Sequence, residues 1–311
     1  QLAEGTKFKP SKAVQGVETA FYLHPYTEGE NQQKLEAILG EWLSEDHELR
    51  RQLSSRLTLE QMLPRAGQKG FDGLLAWFKE SQNPSTIADN IRQYGDDEVK
   101  KKFAQVILER AMAEHPDINP QLRVIIERTE DPTIVPYLEK AMDDPRTPGP
   151  IADAMMDTYI RIKGPTATAK LGELVEKRKD VMRSVAFTRL IEVRGEAGVT
   201  QAANALPLEV EAYNTQGDNT LEKDAPYLCN IIQTELEKTH KVKDPKPVVK
   251  KMLESSRWPA QAVAIHCAEQ FKWSDWKPAI DELSSSQQVV PGWGEDGTTL
   301  GDIAKQASAN L

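Results

Sequence analysis

Tyr159-Ile160-Arg161-Ile162-Lys163-Gly164 and Leu190-Ile191-Glu192-Val193-Arg194-Gly195 lie 31 positions apart and share one pattern: two apolar positions, a charge, an apolar residue, a base, a glycine. Each block ends an apolar stripe and precedes another with small residues. Ala167 and Ala169 follow the first block, and Gly198 and Ala202 follow the second. Upstream, Glu130-Asp131-Pro132-Thr133 takes the place of Lys163-Gly164-Pro165-Thr166, 33 positions earlier. Self-similarity at about 30–40 residues marks a chain of helix pairs, each of which buries its apolar stripe only by stacking on the next. The expected class is all-α.

Working outward, helical periodicity dominates and strand signals are nearly absent. Leu35, Ile38, Leu39, Trp42 and Leu43 follow the spacing of one helix face. Leu49, Leu53, Leu57, Met62 and Leu63 predict a second helix, ended by Pro64 and Gly67, and Phe71 to Phe78 a third. Asn83-Pro84 stops that helix, with Ser85 as the expected cap of the next. Ile87, Ala88 and Ile91 make a short helix closed by Gly95. Asp96 and Asp97 open a longer one, where early acids suit the positive end of the helix dipole. From there His115-Pro116, Asp131-Pro132, Asp144-Pro145, Gly164-Pro165, Lys179-Asp180 and Gly195 interrupt stripes of about ten to fifteen residues. Short helices joined by tight turns pack antiparallel with their neighbours.

Asp180-Val181-Met182-Arg183-Ser184-Val185-Ala186-Phe187-Thr188-Arg189-Leu190 resembles the second helix of a HEAT repeat: an Asp turn, an Arg, small residues, then Leu. Leu171-Gly172-Glu173-Leu174 resembles the first helix of the pair. Ile134 to Leu138, and Pro247 to Leu253 with Trp258 to Phe271, are similar but weaker copies. The likeness to HEAT/armadillo-like proteins spans residues 97–206 and 245–283. It implies an α-solenoid of antiparallel helix pairs that binds and scaffolds. The expected layout is a flexible leader over 1–16, an irregular helical region over 17–95 and HEAT-like repeats over 96–206. A loop or distorted repeat over 207–223 follows, with helices resuming at Asp224, then further repeats over 224–283 and a loop with a capping helix over 284–311.

The 311 residues carry 39 Lys+Arg against 48 Asp+Glu, a balance of −9. Nucleic acid is not an expected partner, because that affinity comes from bases neutralising phosphates. No apolar run approaches the roughly 18–20 residues of a membrane span. The chain starts at Gln1 with a polar stretch, which fits a processed, extracytoplasmic bacterial lipoprotein, with a cytoplasmic placement as the alternative. Cys229 and Cys267 read as two small buried hydrophobes. A disulfide between them in an oxidising compartment is the other reading, which spacing leaves open.

No set of residues for catalysis stands out. The five histidines, His24, His47, His115, His240 and His266, form no HExxH. His47-Glu48 lies in an exposed-looking segment, unlike the repeated His-Glu pairs of iron-binding HEAT-like hydroxylases. His266-Cys267 with Cys229 and His240 match no zinc spacing. The chain has no GxSxG elbow, P-loop or dinucleotide fingerprint. Pro291 to Gly297 reads as a turn, and Glu45-Asp46, Asp96-Asp97-Glu98, Asp143-Asp144 and Glu295-Asp296 read as helix starts and turns. No metal or cofactor is expected.

Four of the six tryptophans, Trp258, Trp273, Trp276 and Trp293, fall in the final quarter. They read first as cover for an end repeat and second as anchors for a partner. The expected function is a non-catalytic protein–protein scaffold that takes a protein or peptide on its curved surface. A lipid carrier and a metal-dependent enzyme on a HEAT-like frame are the alternatives.

Overall fold

The computed structural model describes residues 16, 19–20, 22–45, 66–213, 221–294 and 297–311. The described chain is all-α, without a strand; a single antiparallel bridge joins Val289 to Thr299. None of its helices is long and apolar enough to cross a membrane. The helix expected over Leu49 to Leu63 and most of the leader lie outside the described residues, as do the side chains of Trp42 and Leu43. Two compact units divide the chain, Gln1–Ala141 and Met142–Leu311.

In the first unit the helices are α1 (Glu30–Glu45), α2 (Gly67–Glu80), α3 (Pro84–Tyr94), α4 (Asp97–Glu114) and α5 (Pro120–Glu127), followed by α6 (Val135–Asp143). α1 packs on α2, α2 on α3 and α4, and α3 on α4 and α5. The stripes meet in a core that includes Leu39, Leu74, Phe78, Ile91, Phe103 and Ile107. Phe78 and Phe103 stand edge to face with centroids 4.9 Å apart. Asp96 caps α4 by accepting the Val99 N–H at 2.8 Å, as its sequence suggests. Ser85 is not a cap. α3 begins one residue earlier, at Pro84, whose missing N–H costs nothing there, and the Ser85 N–H donates to Gln121 Oε1 instead.

The second unit holds α7 (Gly149–Lys163), α8 (Thr168–Lys177), α9 (Met182–Arg194), α10 (Glu196–Ala205) and α11 (Leu221–His240). It continues with α12 (Lys246–Leu253), α13 (Trp258–Gln270), α14 (Lys277–Asp281) and α15 (Leu300–Asn310). From α7 to α13 every helix packs on the next but one: α7 on α9, α8 on α10, α9 on α11, α10 on α12, α11 on α13. α15 then packs on α13 and α14. α11 starts at Leu221, three residues before the expected Asp224. The preceding segment turns inward at Tyr213, which is buried and whose hydroxyl donates to the Pro207 carbonyl at 2.8 Å.

The two matched sequence blocks both end helices in the same backbone conformation. Gly164 closes α7 and Gly195 closes α9, with φ/ψ of 53°/−137° and 58°/−131°. Each glycine N–H donates to the carbonyl four residues back, Ile160 and Ile191. That backbone region is almost closed to residues with a Cβ. A Cβ at Gly164 would meet open space, whereas one at Gly195 would touch the His240 ring at 3.0 Å. Gly164→Ala therefore costs about 1–3 kcal/mol from backbone strain alone. Gly195→Ala costs more in chemical denaturation, and equal losses would refute the role given to the ring.

A second device recurs at helix ends. The last carbonyls of a helix lack intrahelical donors. Here side chains distant in sequence supply them: Arg110 to Phe78, Arg92 to Ile125 at 2.9 Å, Arg178 to Met142 at 2.7 Å and His240 to Glu192 at 3.1 Å. The three arginines reach across 32, 33 and 36 positions.

The two cysteines are not separate buried thiols. Cys229 of α11 and Cys267 of α13 form a disulfide, with Cα atoms 5.4 Å apart and both residues fully buried. Their positions on facing helices bring the sulfurs together, a juxtaposition that 38 residues of sequence separation conceal.

Candidate functional site

The tryptophans do not converge on one site. Trp273 and Trp276 pair with ring centroids 4.8 Å apart, just past the C-terminal end of α13. Trp258 begins α13, about 20 Å away along the helix axis, and packs against Tyr213 at 5.5 Å. Trp293 stands edge on to His266 at 6.0 Å. Trp258, Trp276 and Trp293 are only 7, 5 and 8 % exposed, and Trp273 is half-buried.

The histidine and cysteine set is not assembled either. The bond between Cys229 and Cys267 consumes both thiols, and His240 is engaged with the carbonyls that end α9. No group of three His, Cys, Asp or Glu side chains arranged to hold a metal ion occurs among the described residues. His24 pairs with Glu36 at 3.0 Å. His47-Glu48 and Glu295-Asp296 lie outside the described residues.

What the fold builds instead is an open groove of about 810 Å³ in the second unit. Glu222 reaches it from α11, His266, Glu269 and Gln270 from α13, Trp293 from the turn before α15, and Asp302 from α15. The disulfide ties α11 to α13 next to His266. α15 is fixed by a capping box in which Thr299 and Asp302 exchange side-chain and backbone hydrogen bonds. Its far end is held where Ser308 Oγ donates to Asp281 Oδ1 at 2.5 Å. The disulfide, the capping box and this hydrogen bond brace the walls.

The carboxylates of the groove are fixed at one oxygen. Glu222 Oε2 accepts the Gly294 N–H at 3.0 Å, and Glu269 Oε1 accepts from Asn310 Nδ2 at 2.5 Å. Their other oxygens accept no hydrogen bond among the described residues. Gln270 donates its amide to Asn230 Oδ1 at 2.7 Å, while its own Oε1 is buried without a donor. Neither nitrogen of His266 is hydrogen-bonded among the described residues. Lys272 also lines the groove, so three carboxylates face one ammonium there.

Burial pushes the His266 imidazole below its ordinary value, more strongly than Glu269 and Glu222 raise it. The folded chain thus favours the neutral ring, and the unfolded chain keeps its proton to higher pH. The ring's contribution to stability is full above the unfolded value and is lost as pH falls through the window beneath it. An NMR titration is expected to place His266 below 6.5. Thermal melts should show the wild type losing ground to His266→Asn between pH 7.5 and 5; parallel profiles would refute the burial argument.

The groove was hidden in the sequence because its parts are scattered, Glu222 and Gly294 being 72 positions apart. Read locally, each is an ordinary helix or turn residue. Comparisons with family models, with curated proteins and with solved structures return no match to this chain.

Proposed function

We propose that the chain is a non-catalytic binding scaffold in which HEAT-like helix pairs stack in series through residues 142–311 as an α-solenoid, and that its partner is a protein or peptide. The observation that carries this reading is the next-but-one packing that runs without a break from α7 to α13. Such an order follows when each pair buries its stripe against the following pair. The matched glycine endings of α7 and α9, and the arginines that donate across about one repeat, support it. The groove at the α11–α13–α15 end offers a wet surface with fixed polar groups, of the kind that interfaces with polypeptides use. We further infer an oxidising compartment, supported by the buried Cys229–Cys267 bond.

Native mass spectrometry of the protein recovered from its own source, after chemical cross-linking, tests the reading. A polypeptide cross-linked to lysines of the second unit is the expected result. A stoichiometric metal or lipid mass, with no polypeptide attached, would overturn it.

A further inference from the structure

We infer, resting on the scaffold reading, that the partner polypeptide is acidic and docks on the lysine-rich surface that joins α11 to α12. Residues 238–251 hold six lysines and one acid, Asp244, a local balance of +5 in a chain whose total is −9. Lys238, Lys241, Lys243, Lys250 and Lys251 are exposed, and Lys246 is half-buried. Lys246 is held by both oxygens of Asp275, at 2.5 and 2.7 Å. Lys238 and Lys250 each stand 3.8 Å from a glutamate of their own helix turn. Lys241, Lys243 and Lys251 pair with no carboxylate among the described residues, so the fold leaves three ammonium charges on this surface unneutralised.

The surface is organised in advance. At one end His240 Nε2 lies 2.9 and 3.1 Å from the Ile191 and Glu192 carbonyls of α9. At the other, the Lys246 ammonium sits over the Trp273 ring, 5.9 Å from its centroid. Between them the Lys241 and Val242 N–H groups donate to Glu237 and Leu236, and the Lys246 N–H donates to Asp244 Oδ1 at 3.0 Å. A backbone tied in this way loses little entropy when a partner docks. Lys241 itself has φ 60°, the left-handed conformation that suits glycine. α7 and α9 do place glycine one residue past their ends, whereas α11 keeps a cation there.

The complement of this surface is negative charge spread along a chain, since opposed potentials steer encounter and fix register. A bilayer fits less well. Val248 and Val249 are buried, so the segment offers no exposed apolar anchor, and Asp244 would be pressed against an anionic plane. A flexible polypeptide steps past Asp244.

The test uses the full oxidised chain and a labelled peptide in which glutamate alternates with serine; the control peptide has glutamine for glutamate. Fluorescence anisotropy at low salt is expected to give sub-millimolar half-saturation for the glutamate peptide, at least about tenfold tighter than the control and weaker as salt rises. The backbone amide NMR signals of residues 238–251 should shift most. Lys241→Gln, Lys243→Gln and Lys251→Gln together should weaken binding about tenfold. Its melting temperature should stay near wild type, because all three side chains are exposed. Lys100→Gln, Lys101→Gln and Lys140→Gln together remove the same charge from exposed positions of the first unit and should bind like wild type.

Equal binding of the two peptides, amide shifts centred outside residues 238–251, or an equal loss in the first-unit variant would overturn the proposal. Co-sedimentation with phosphatidylserine vesicles that the Lys241, Lys243 and Lys251 variant abolishes would overturn the polypeptide in favour of a membrane. A salt-sensitive dimer abolished by the same variant would replace it by a second copy of this chain. Failure here alongside a cross-linked polypeptide in the mass spectrum removes the surface and leaves the scaffold. Peptide binding alongside a stoichiometric lipid and no polypeptide removes the scaffold, and the partner with it.

Discussion

Replacing Cys229 and Cys267 together by alanine lowers the stability of the second unit by about 4 kcal/mol, the entropy expected for releasing a loop of this length. The loop spans 38 residues and the linked helices, α11 and α13, pack directly on one another. For a unit of this size the loss corresponds to roughly 8–16 °C in melting temperature. Alanine is the better substitution because both sites are fully buried and a serine hydroxyl would need a partner there. Calorimetry of the oxidised wild type and the double variant measures the difference. A drop of less than about 1 kcal/mol would mean that the bond adds nothing the helix packing lacks. The same variant should broaden the His266 and Trp293 signals, since the bond braces two walls of the groove.

Gly198→Ala is expected to destabilise the chain by about 2 kcal/mol or more, and Gly198→Val to prevent folding of the second unit. A Cβ at this position would lie 2.1 Å from the Leu190 carbonyl oxygen and 2.6 Å from its carbon. These are backbone atoms of α9, so relief requires α10 to move away from it. Alanine gains about 1 kcal/mol in helix propensity over glycine, while overpacking of this kind costs about 3 kcal/mol. The clash wins. Gly172→Ala is the control, because its Cβ would meet only the far end of the Gln201 side chain, at 3.3 Å, and no backbone atom. Urea denaturation should show that variant within about 1 kcal/mol of wild type. Equal stability of Gly198→Ala and wild type would refute the close crossing of α9 and α10.

The helices were legible wherever local chemistry decided them. Asp96 caps α4, and Gly164 and Gly195 end α7 and α9. Each acts on its own turn, so the sequence suffices. The Ser85 cap failed because Pro84 could begin the helix itself. What tertiary packing decides was not legible. The disulfide needs α11 laid on α13, and the buried Arg178, which looks like part of a surface run in Lys177-Arg178-Lys179, is explained by a carbonyl 36 positions away. The groove is the extreme case, since Glu222, Glu269 and Asp302 are neighbours only after three helices are in place. The tryptophans drew attention by their density, yet burial leaves Trp258 and Trp276 as packing for their own helices, with Trp293 the one that lines the groove.

The edge-on approach of Trp293 to His266 has an optical consequence. An imidazolium at 6.0 Å takes an electron from an excited indole, and the neutral ring does so far less readily. Emission from this indole should dim as acid reaches the ring and brighten when base removes the proton. A cation held near His266 would make that proton harder to add, moving the dimming to lower pH. The molecule thus carries its own dye, and occupancy of the groove can be followed by light without a label.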